Sequence, residues 1–243
     1  MDFSKTFIIV PCYNESECIA ATLKHLSKSV PGAEIVAIND ASSDNTLEIL
    51  RLLDLPGLTV LNMPFNTGIG TVVQTGLLYA LRNGAEYAVK FDGDGQHPAD
   101  EIVKLLAPLL EKRADLVVGS RFLAGNNGFK STACRRIGIR FFTFLSYLLT
   151  GRALTDCTSG FRAYNRRALE FAARYYPAFD YPEPEESILL LRNGYRVLEE
   201  NTVMLARQGG SSSIRPGRAI YYMVKVGFAM IMERMRSPKI WRS

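Results

Sequence analysis

The sequence lacks any hydrophobic run that could cross a bilayer, since no uninterrupted apolar stretch approaches the roughly 20 residues that a spanning helix needs. It also lacks a charged and then apolar N-terminal segment of the secretory type. The four cysteines, Cys12, Cys18, Cys134 and Cys157, have no C-x-x-C spacing, which favours buried free thiols over a disulfide framework or a zinc site. We therefore expect a cytoplasmic protein that can meet a membrane only peripherally.

Repeats and low-complexity tracts are absent as well, and hydrophobic residues make up 47% of the 243 residues, as in a globular chain with a sizeable core. The charge is uneven: residues 1–120 carry 9 Lys and Arg against 15 Asp and Glu, whereas residues 121–243 carry 20 against 9. An acidic half suits a bound metal ion, and a basic half suits phosphates or an anionic membrane, although ordinary solvated surface would give similar counts. No DNA- or RNA-reading motif is present, so nucleic acid is not an expected partner.

The first 120 residues alternate short β-branched runs with amphipathic stretches, which is the pattern of a parallel sheet flanked by helices. The predicted strands are Thr6–Val10, Glu34–Asn39, Leu58–Asn62, Glu86–Phe91 and Asp115–Gly119. Apolar residues recur at helical spacing between them. The predicted fold class is therefore α/β, with a Rossmann-like, mostly parallel sheet.

Helical patterns dominate after Arg121. The predicted helices are Arg135–Thr150, Arg166–Arg174, Glu183–Asn193 and Arg218–Arg236, and Tyr195–Glu199 with Thr202–Ala206 predict a small hairpin-type strand pair. We expect one main domain over residues 1–210 and a C-terminal amphipathic helix and tail over residues 211–243.

Two carboxylates stand at positions i and i+2 after the fourth predicted strand, in the run Asp92-Gly93-Asp94-Gly95-Gln96-His97. The carboxyl ends of parallel strands meet at one edge of the sheet, where open α/β folds bind ligands. Carboxylate oxygens and the amide of Gln96 could hold a hard divalent cation there, and the glycines leave room for a diphosphate. An acidic turn alone is more often a solvated or capping loop, so the metal interpretation depends on the surrounding motifs.

Three further motifs accompany this run in order along the chain. They are Pro11-x-Tyr13-Asn14-Glu15, Asn39-Asp40-Ala41-Ser42-x-Asp44-Asn45-Thr46 and Asn66-x-Gly68-Ile69-Gly70. Together the four motifs resemble the inverting glycosyltransferase family 2, which has the GT-A fold. The resemblance is closer to its branch similar to dolichyl- or polyprenyl-phosphate sugar synthases, and it covers about residues 5–210.

The resemblance implies roles for individual residues. The residues that would hold the base and ribose of the nucleotide are Pro11, Tyr13, Glu15 and Asp40. Asp92 would contact the ribose or the diphosphate, and Asp94 with Gln96 would ligate Mg²⁺ or Mn²⁺. The second motif is commonly Asp-Asp in that family and is Asn39-Asp40 here, which leaves the role of the first acid open.

The resemblance also assigns the arginine of Gly119-Ser120-Arg121 to the substrate phosphates and that of Asp156-x-x-Ser159-Gly160-Phe161-Arg162 to the junction of donor and acceptor. Arg207 and the polar residues after it resemble a loop that orders over the donor diphosphate, although a plain linker has the same composition. His97 is a candidate diphosphate contact or a surface residue. The Q-x-x-R-W signature of processive synthases is absent, which indicates transfer of one sugar per encounter.

The acceptor decides whether the reaction needs a base. A lipid monophosphate arrives ionised, whereas a sugar hydroxyl must lose a proton to a carboxylate. Candidate cations for a phosphate are Arg121, Arg135, Arg136, Arg162 and Arg207, and candidate bases are Glu183, Glu185 and Glu186. Glu185 is the best single candidate base, although acids at a helix N-terminus are also favoured by the helix dipole alone.

The sequence thus predicts a metal-dependent enzyme that moves one hexose-type sugar from a UDP- or GDP-sugar to a polyprenyl phosphate at the cytoplasmic face of the membrane. Transfer to a glycan or glycolipid hydroxyl in surface-polysaccharide assembly is the alternative. The apolar, Arg- and Lys-bordered segments Arg135–Thr150 and Arg218–Arg236 are typical of interfacial helices. They would serve equally well to pack on each other or to form a homo-oligomer face.

Overall fold

A computed structural model describes residues 2–123, 133–177, 182–205 and 219–235. In this part of the chain one seven-stranded sheet is flanked by eight α-helices. The strands are β1 (Thr6–Cys12), β2 (Glu34–Asn39), β3 (Leu58–Asn62), β4 (Tyr87–Lys90), β5 (Leu116–Ser120), β6 (Arg162–Asn165) and β7 (Val197–Asn201). The helices are α1 (Ile19–Ser29), α2 (Thr46–Leu52), α3 (Ile69–Arg82), α4 (Ile102–Leu110), α5 (Ala133–Thr150), α6 (Arg166–Tyr175), α7 (Glu183–Arg192) and α8 (Ala219–Met235).

The strand order across the sheet is β3-β2-β1-β4-β6-β5-β7. All strands run in the same direction except β6, which is antiparallel to both of its neighbours. The carboxyl ends of the parallel strands therefore lie at one edge of the sheet. Since Arg162 pairs with Lys90, the last residue of β4, the antiparallel β6 begins at that same edge.

Two hydrophobic cores cover the two faces of the sheet. One core packs α1, α2 and α4 against the sheet, and the other packs α3, α5, α6, α7 and α8. Every residue of β1 is buried because both faces are covered, which is why the strand is a continuous apolar run. Gly76 allows α3 to approach β1 closely, since a Cβ there would lie 2.3 Å from Cγ2 of Ile9.

The α/β class and the five predicted strands of the first 120 residues are confirmed; β2 and β3 have the predicted bounds, and those of β1, β4 and β5 shift by one or two residues. The hairpin prediction is wrong for the described residues. β7 pairs in parallel with β5, and Thr202–Leu205 forms no strand but crosses the sheet edge, where the N–H of Leu205 donates to the carbonyl of Gln96 at 2.8 Å. Ala206 lies outside the described residues. The sequence analysis also missed β6, which has only four residues and begins with a charged one.

The two long helices of the C-terminal half, α5 and α8, pack on each other, which is one of the three arrangements that the sequence allowed. In α8, a Cβ at Gly227 would lie 3.2 Å from the ring of Phe141 in α5. Val226 and Met230 of α8 are buried in the same core as α7. Over the described residues, none of the helices combines the length and the hydrophobicity that crossing a membrane requires.

Candidate active site

The loops that follow β1 and β2 are joined by hydrogen bonds between backbone N–H groups and short polar side chains. The N–H of Glu15 donates to Oγ1 of Thr46 at 2.9 Å, and the N–H of Ser16 donates to Oδ2 of Asp44 at 3.2 Å. Asn14 has a φ of 55°, in the left-handed region that asparagine tolerates better than most residues. The two loops therefore form one wall at the carboxyl edge of the sheet.

Three of the predicted nucleotide contacts lie on or beside this wall. Pro11 is part of β1 and pairs with Ile38, so it lies one step inside the sheet rather than after the strand. Tyr13, in the loop after β1, exposes 50% of its surface. Glu15 is partly buried and accepts a hydrogen bond from the thiol of Cys18 at 3.2 Å. Their contacts with a nucleotide stay predictions.

Asp40, the fourth predicted nucleotide contact, anchors the loop that leads into α3. Its carboxylate accepts hydrogen bonds from the N–H of Thr67 at 2.7 Å and from the N–H of Gly68 at 3.0 Å. Gly68 has a φ of 82°, which favours glycine at this position. The structure thus gives Asp40 a structural role, and its contact with a base or ribose stays a prediction.

The acidic loop after β4 is fixed at both ends. Oδ1 of Asp94 accepts a hydrogen bond from the N–H of Gln96 at 3.0 Å, and Asp94 is only 5% exposed. The carbonyl of Gln96 is bonded in turn to Leu205. At Gly93 a Cβ would lie 3.3 Å from the carbonyl oxygen of Pro11, so the glycine lets the loop pass close to β1.

Asp92 lies directly over the backbone of Gly160, in the loop that precedes β6. A Cβ at Gly160 would lie 2.9 Å and 3.2 Å from the two carboxylate oxygens of Asp92 and 3.3 Å from Nζ of Lys90. The absence of a side chain at Gly160 therefore makes room for both charged groups.

His97 is buried, unlike a surface loop residue. Its ring packs on Phe161 with centroids 4.8 Å apart, and the edge of Phe91 completes the contact. Burial lowers the pKa of His97, although the nearby carboxylates of Asp92 and Asp94 oppose the shift. The ring thus packs the acidic loop against the residue that precedes β6, and a contact with a diphosphate stays a prediction.

Arg121 follows β5 and is held by Asp156 through two nitrogens, each 2.6 Å from a carboxylate oxygen. Such a bidentate pair fixes the plane of the guanidinium as well as its position. Asp156 is itself positioned by Glu199, whose carboxylate accepts from the N–H groups of Thr155 and Asp156 at 2.8 and 2.7 Å. Burial raises the pKa of Glu199 in spite of these hydrogen bonds.

Arg162 is fully buried, and its guanidinium is directed at protein groups. It donates to the carbonyls of Ser159 and Cys157 at 2.8 Å and to Oε2 of Glu186 and Oγ of Ser187 at 2.9 and 3.0 Å. This geometry supports a positioning role, because it ties the loop before β6 to α7. Direct contact of Arg162 with the substrate stays a prediction.

The first turn of α7 carries three buried acids. Glu183 forms an ion pair with Lys90, and Glu186 accepts from Arg162 and from the hydroxyl of Tyr164. Burial alone would raise the pKa of Glu183, but the charges of Lys90 and Arg162 lower it, whereas for Glu186 burial prevails and raises the pKa. Glu185, the candidate base, is 8% exposed in the same turn.

The structure brings most of the predicted residues to one edge of the sheet. Residues 202–205 are hydrogen-bonded to Ser120 at one end and to Gln96 at the other, so the acidic loop and the end of β5 that carries Arg121 lie at the same edge. Arg207 lies outside the described residues, and so do the side chains of Arg135 and Arg136. Within the described part of the chain, no group of three or more His, Cys, Asp or Glu could hold a metal ion.

Sequence reasoning missed Lys90 and Glu199, which both support the site. Lys90 is 1% exposed and interrupts the otherwise apolar run Ala88-Val89-Lys90-Phe91. A lysine inside such a run is the available signal, because a buried lysine is rare unless it is paired. Glu199 gave no comparable signal, since it stands beside Glu200 in a strand that faces solvent in part.

Comparison with known proteins agrees with this geometry. The model of glycosyl transferase family 2 matches residues 7–171. The UDP-N-acetylglucosamine–dolichyl-phosphate N-acetylglucosaminyltransferase of Methanococcus voltae is 28% identical over 200 residues, which are 76% of this chain and 79% of that protein. The undecaprenyl-phosphate mannosyltransferase of Micrococcus luteus is 27% identical over 241 residues, which are 96% of this chain and 98% of that protein.

Among solved structures, glucosyl-3-phosphoglycerate synthase from Mycobacterium tuberculosis, in complex with Mn²⁺, UDP and phosphoglyceric acid, has a TM-score of 0.69. It is 20% identical, and the match covers 98% of this chain and 80% of that chain. A likeness at this identity shows a common fold, and the fold is GT-A. Since the family model spans well over half of the residues, the chain is an enzyme that belongs to glycosyltransferase family 2.

Proposed function

We propose that this enzyme transfers one sugar from a UDP- or GDP-sugar to the phosphate of a polyprenyl phosphate, with inversion at the anomeric carbon. The observation that carries the proposal is the meeting of the acidic loop 92–96 and the fixed guanidinium of Arg121 at one edge of the sheet. The relatives from Methanococcus voltae and Micrococcus luteus, named for dolichyl phosphate and undecaprenyl phosphate, support this acceptor class.

On this proposal Asp94 and Gln96 hold a Mg²⁺ or Mn²⁺ ion. Mg²⁺ in phosphate-processing enzymes is usually bound by one or two carboxylates together with substrate phosphates, so a buried, oriented Asp94 fits even without a third acid. The ion supplies positive charge for the leaving nucleoside diphosphate. The solved complex of the Mycobacterium tuberculosis enzyme with Mn²⁺ and UDP is consistent with this assignment.

The donor would lie along the wall formed by the loops after β1 and β2. Tyr13 offers an exposed ring to the base, and Glu15 offers acceptor oxygens to the ribose. Asp92, at the start of the acidic loop 92–96, would contact the ribose or the diphosphate. A single displacement with inversion needs no enzyme nucleophile, so orientation of the sugar and stabilisation of the leaving group supply the catalysis.

Arg121 is the residue we assign to a substrate phosphate. Its side chain is only 10% exposed, so a phosphate must come in between the surrounding loops to meet it. Asp156 and Thr158 orient the guanidinium before the substrate arrives, which lowers the entropy cost of binding. Arg207 would add a second cation on the same proposal.

A phosphate acceptor also relieves the enzyme of a difficult proton transfer, because a phosphate monoester is already ionised near neutral pH. Glu185 would then position the acceptor side rather than remove a proton. If the acceptor is instead a sugar hydroxyl, Glu185 in the first turn of α7 is the base that the alternative requires.

Contact with the cytoplasmic face of a membrane would bring the enzyme to a lipid acceptor. Both α5 and α8 expose large apolar side chains, namely Phe144, Tyr147 and Leu148 in α5 and Val224, Phe228, Met232 and Met235 in α8. The exposed Arg140 and Arg234 of the same helices would be attracted to anionic lipid.

Phe228→Glu should weaken co-sedimentation with vesicles that contain anionic lipid. Leu52→Glu, at an exposed apolar residue of α2, is the control and should not. Equal binding by both variants would argue against a membrane contact through α5 and α8.

The proposed reaction is tested by supplying radiolabelled UDP- and GDP-sugars with polyprenyl phosphate in the presence of Mn²⁺ or EDTA. The expected result is label in an organic-extractable, mild-acid-labile lipid, with one donor class preferred and EDTA abolishing the transfer. Donor that is bound or slowly hydrolysed without labelling lipid would contradict the lipid-phosphate acceptor and favour a hydroxyl acceptor.

A further inference from the structure

Two buried cationic side chains, those of Lys90 and Arg162, lie side by side where β4 and β6 pair at the carboxyl edge of the sheet. Lys90 ends β4, Arg162 begins β6, and the two residues are register partners. Each pairs with one glutamate in the first turn of α7: Lys90 with Glu183 and Arg162 with Glu186. Because Glu183 and Glu186 are three residues apart, they lie on one face of the helix. The two ion pairs therefore fix the start of α7 against the sheet.

The second neighbour of Lys90 is the carboxylate of Asp92. Both Nζ of Lys90 and the oxygens of Asp92 lie over the backbone of Gly160, where a Cβ would come within 3.3 Å of each of them. A lysine ammonium carries three donors, and one of them is directed to Glu183. Lys90 thus pairs with an acid of the helix that carries Glu185 and shares the space over Gly160 with an acid of the proposed donor site.

We propose that Lys90 is a positioning residue that couples the acidic loop 92–96 to the first turn of α7. Its ammonium pairs with Glu183 and lies across Gly160 from the carboxylate of Asp92, close enough for its charge to act on Asp92, so the donor and the acceptor sides of the site keep a fixed separation. The inference deepens the proposed function and rests on it for the nature of the two sides.

Stability alone does not account for a lysine at this position. A buried ion pair costs several kcal/mol of desolvation per ion, and apolar residues of similar volume are often as stable or more stable. Removing both charges together should therefore be tolerated by the fold. If Lys90 positions the site, removing both charges should still lower the rate of sugar transfer.

The test compares Lys90→Met, Lys90→Met with Glu183→Met, and Lys90→Arg, in the full chain. The single variant leaves Glu183 buried without its cation, so its Tm should fall clearly. The double variant should recover a Tm near that of the wild type, yet its kcat for sugar transfer should stay at least about 10-fold low, with the donor KM changed less than kcat. Lys90→Arg, which keeps the charge, should retain more activity than either. A double variant that recovers both Tm and kcat would overturn the proposal.

The matched control is Lys5→Met, which removes an exposed lysine paired with Glu86 at 2.5 Å. Neither its Tm nor its kcat should change measurably, because exposed ion pairs contribute little.

A second measurement separates this inference from the proposed acceptor. Binding of UDP and GDP in the presence of Mn²⁺ is compared by calorimetry, and affinity should be at least about 5-fold weaker in the double variant than in the wild type, since Asp92 has lost its neighbour. If the wild type transfers nothing to polyprenyl phosphate, the acceptor proposal fails, and the change in nucleotide affinity still decides the role of Lys90. Equal affinity in the two proteins, or no nucleotide binding by the wild type, would count against that role.

Discussion

On the donor side of the proposed site, the contacts are hydrogen bonds between backbone N–H groups and short polar side chains such as those of Asp44 and Thr46. On the side of α7, the contacts are ion pairs between fully or nearly fully buried residues, Lys90 with Glu183 and Arg162 with Glu186. Loss of one such hydrogen bond near the surface costs less than a buried charge left without its partner, which is strongly destabilising. Substitutions on the donor side should therefore change activity more than stability, and those on the α7 side should change both.

The largest expected effect on stability tests the α7 side. Arg162→Met leaves Glu186 buried without its cation and should lower the free energy of unfolding by about 3–5 kcal/mol. Denaturant unfolding measures this change. Arg113→Met, at an exposed pair with Glu111, is the control and should cost less than about 1 kcal/mol. A similar small loss for both variants would remove the difference between the two sides.

The largest expected effect on activity tests the donor side. Asp94→Ala should reduce metal-dependent turnover by about 10²–10³-fold, because the leaving diphosphate loses the charge that the cation supplies. The change should leave the Tm close to that of the wild type. Asp100→Ala, which removes an exposed acid bonded to Ser29, is the matched control and should remain active. Metal-dependent turnover preserved in Asp94→Ala would refute the proposed ligand.

Gly160→Ala sharpens the comparison where the two sides meet. The added Cβ would lie 2.9 Å from a carboxylate oxygen of Asp92, which can move aside because it ends a flexible side chain. Activity should therefore fall by about 10-fold, or about 1.4 kcal/mol, with little change in Tm.

The control is Gly138→Ala in α5, whose Cβ would meet only the side chain of Met223, with its sulfur at an ordinary 3.5 Å. It should leave both quantities unchanged. If Gly160→Ala lowered the Tm and the activity in proportion, the loop before β6 would be structural rather than part of the site.

The smallest expected effect concerns Asp44 and pH. Burial raises the pKa of Asp44, but hydrogen bonds from Thr46 and Ser16 outweigh it and lower the pKa from 3.8 to about 2. A carboxyl with a lower pKa in the folded state stabilises the fold above its unfolded pKa and loses this contribution as the pH falls through the folded value. Between about pH 4 and pH 2, the Tm of the wild type should therefore fall more steeply than that of Asp44→Asn. Parallel Tm curves would show that these hydrogen bonds contribute no pH-dependent stability.

The same contrast explains what could be predicted from the sequence. The donor side is local: Asp92, Asp94 and Gln96 stand together in one loop after one strand, and the motif with its strand could be recognised directly. The α7 side is not local, since Lys90 and Glu183 are 93 residues apart. Acids at the start of α7 are equally typical of a helix N-terminus, so nothing in the sequence pairs them with a cation.

The strands differ in the same way in how far the sequence predicts them. β2 and β3 have the predicted bounds because both are apolar runs bounded by turn residues. The partner of β7 could not be predicted from its neighbours along the chain, because it is β5, about 80 residues earlier, which leaves no turn signal between them. The motif assigned Arg162 to the junction of donor and acceptor, which stays a prediction, and only its hydrogen bonds to Glu186 and Ser187 show that it faces α7.

The central claim is that the acceptor is a phosphate, and the most direct measurement compares two acceptors that differ in that group alone. Polyprenyl phosphate and the corresponding polyprenyl alcohol are supplied at equal concentration with the preferred labelled donor and Mn²⁺. The proposal predicts label in the phosphate lipid and only background in the alcohol. Comparable label in both lipids, or label that appears only with a glycan acceptor, would contradict it and assign the reaction to a hydroxyl.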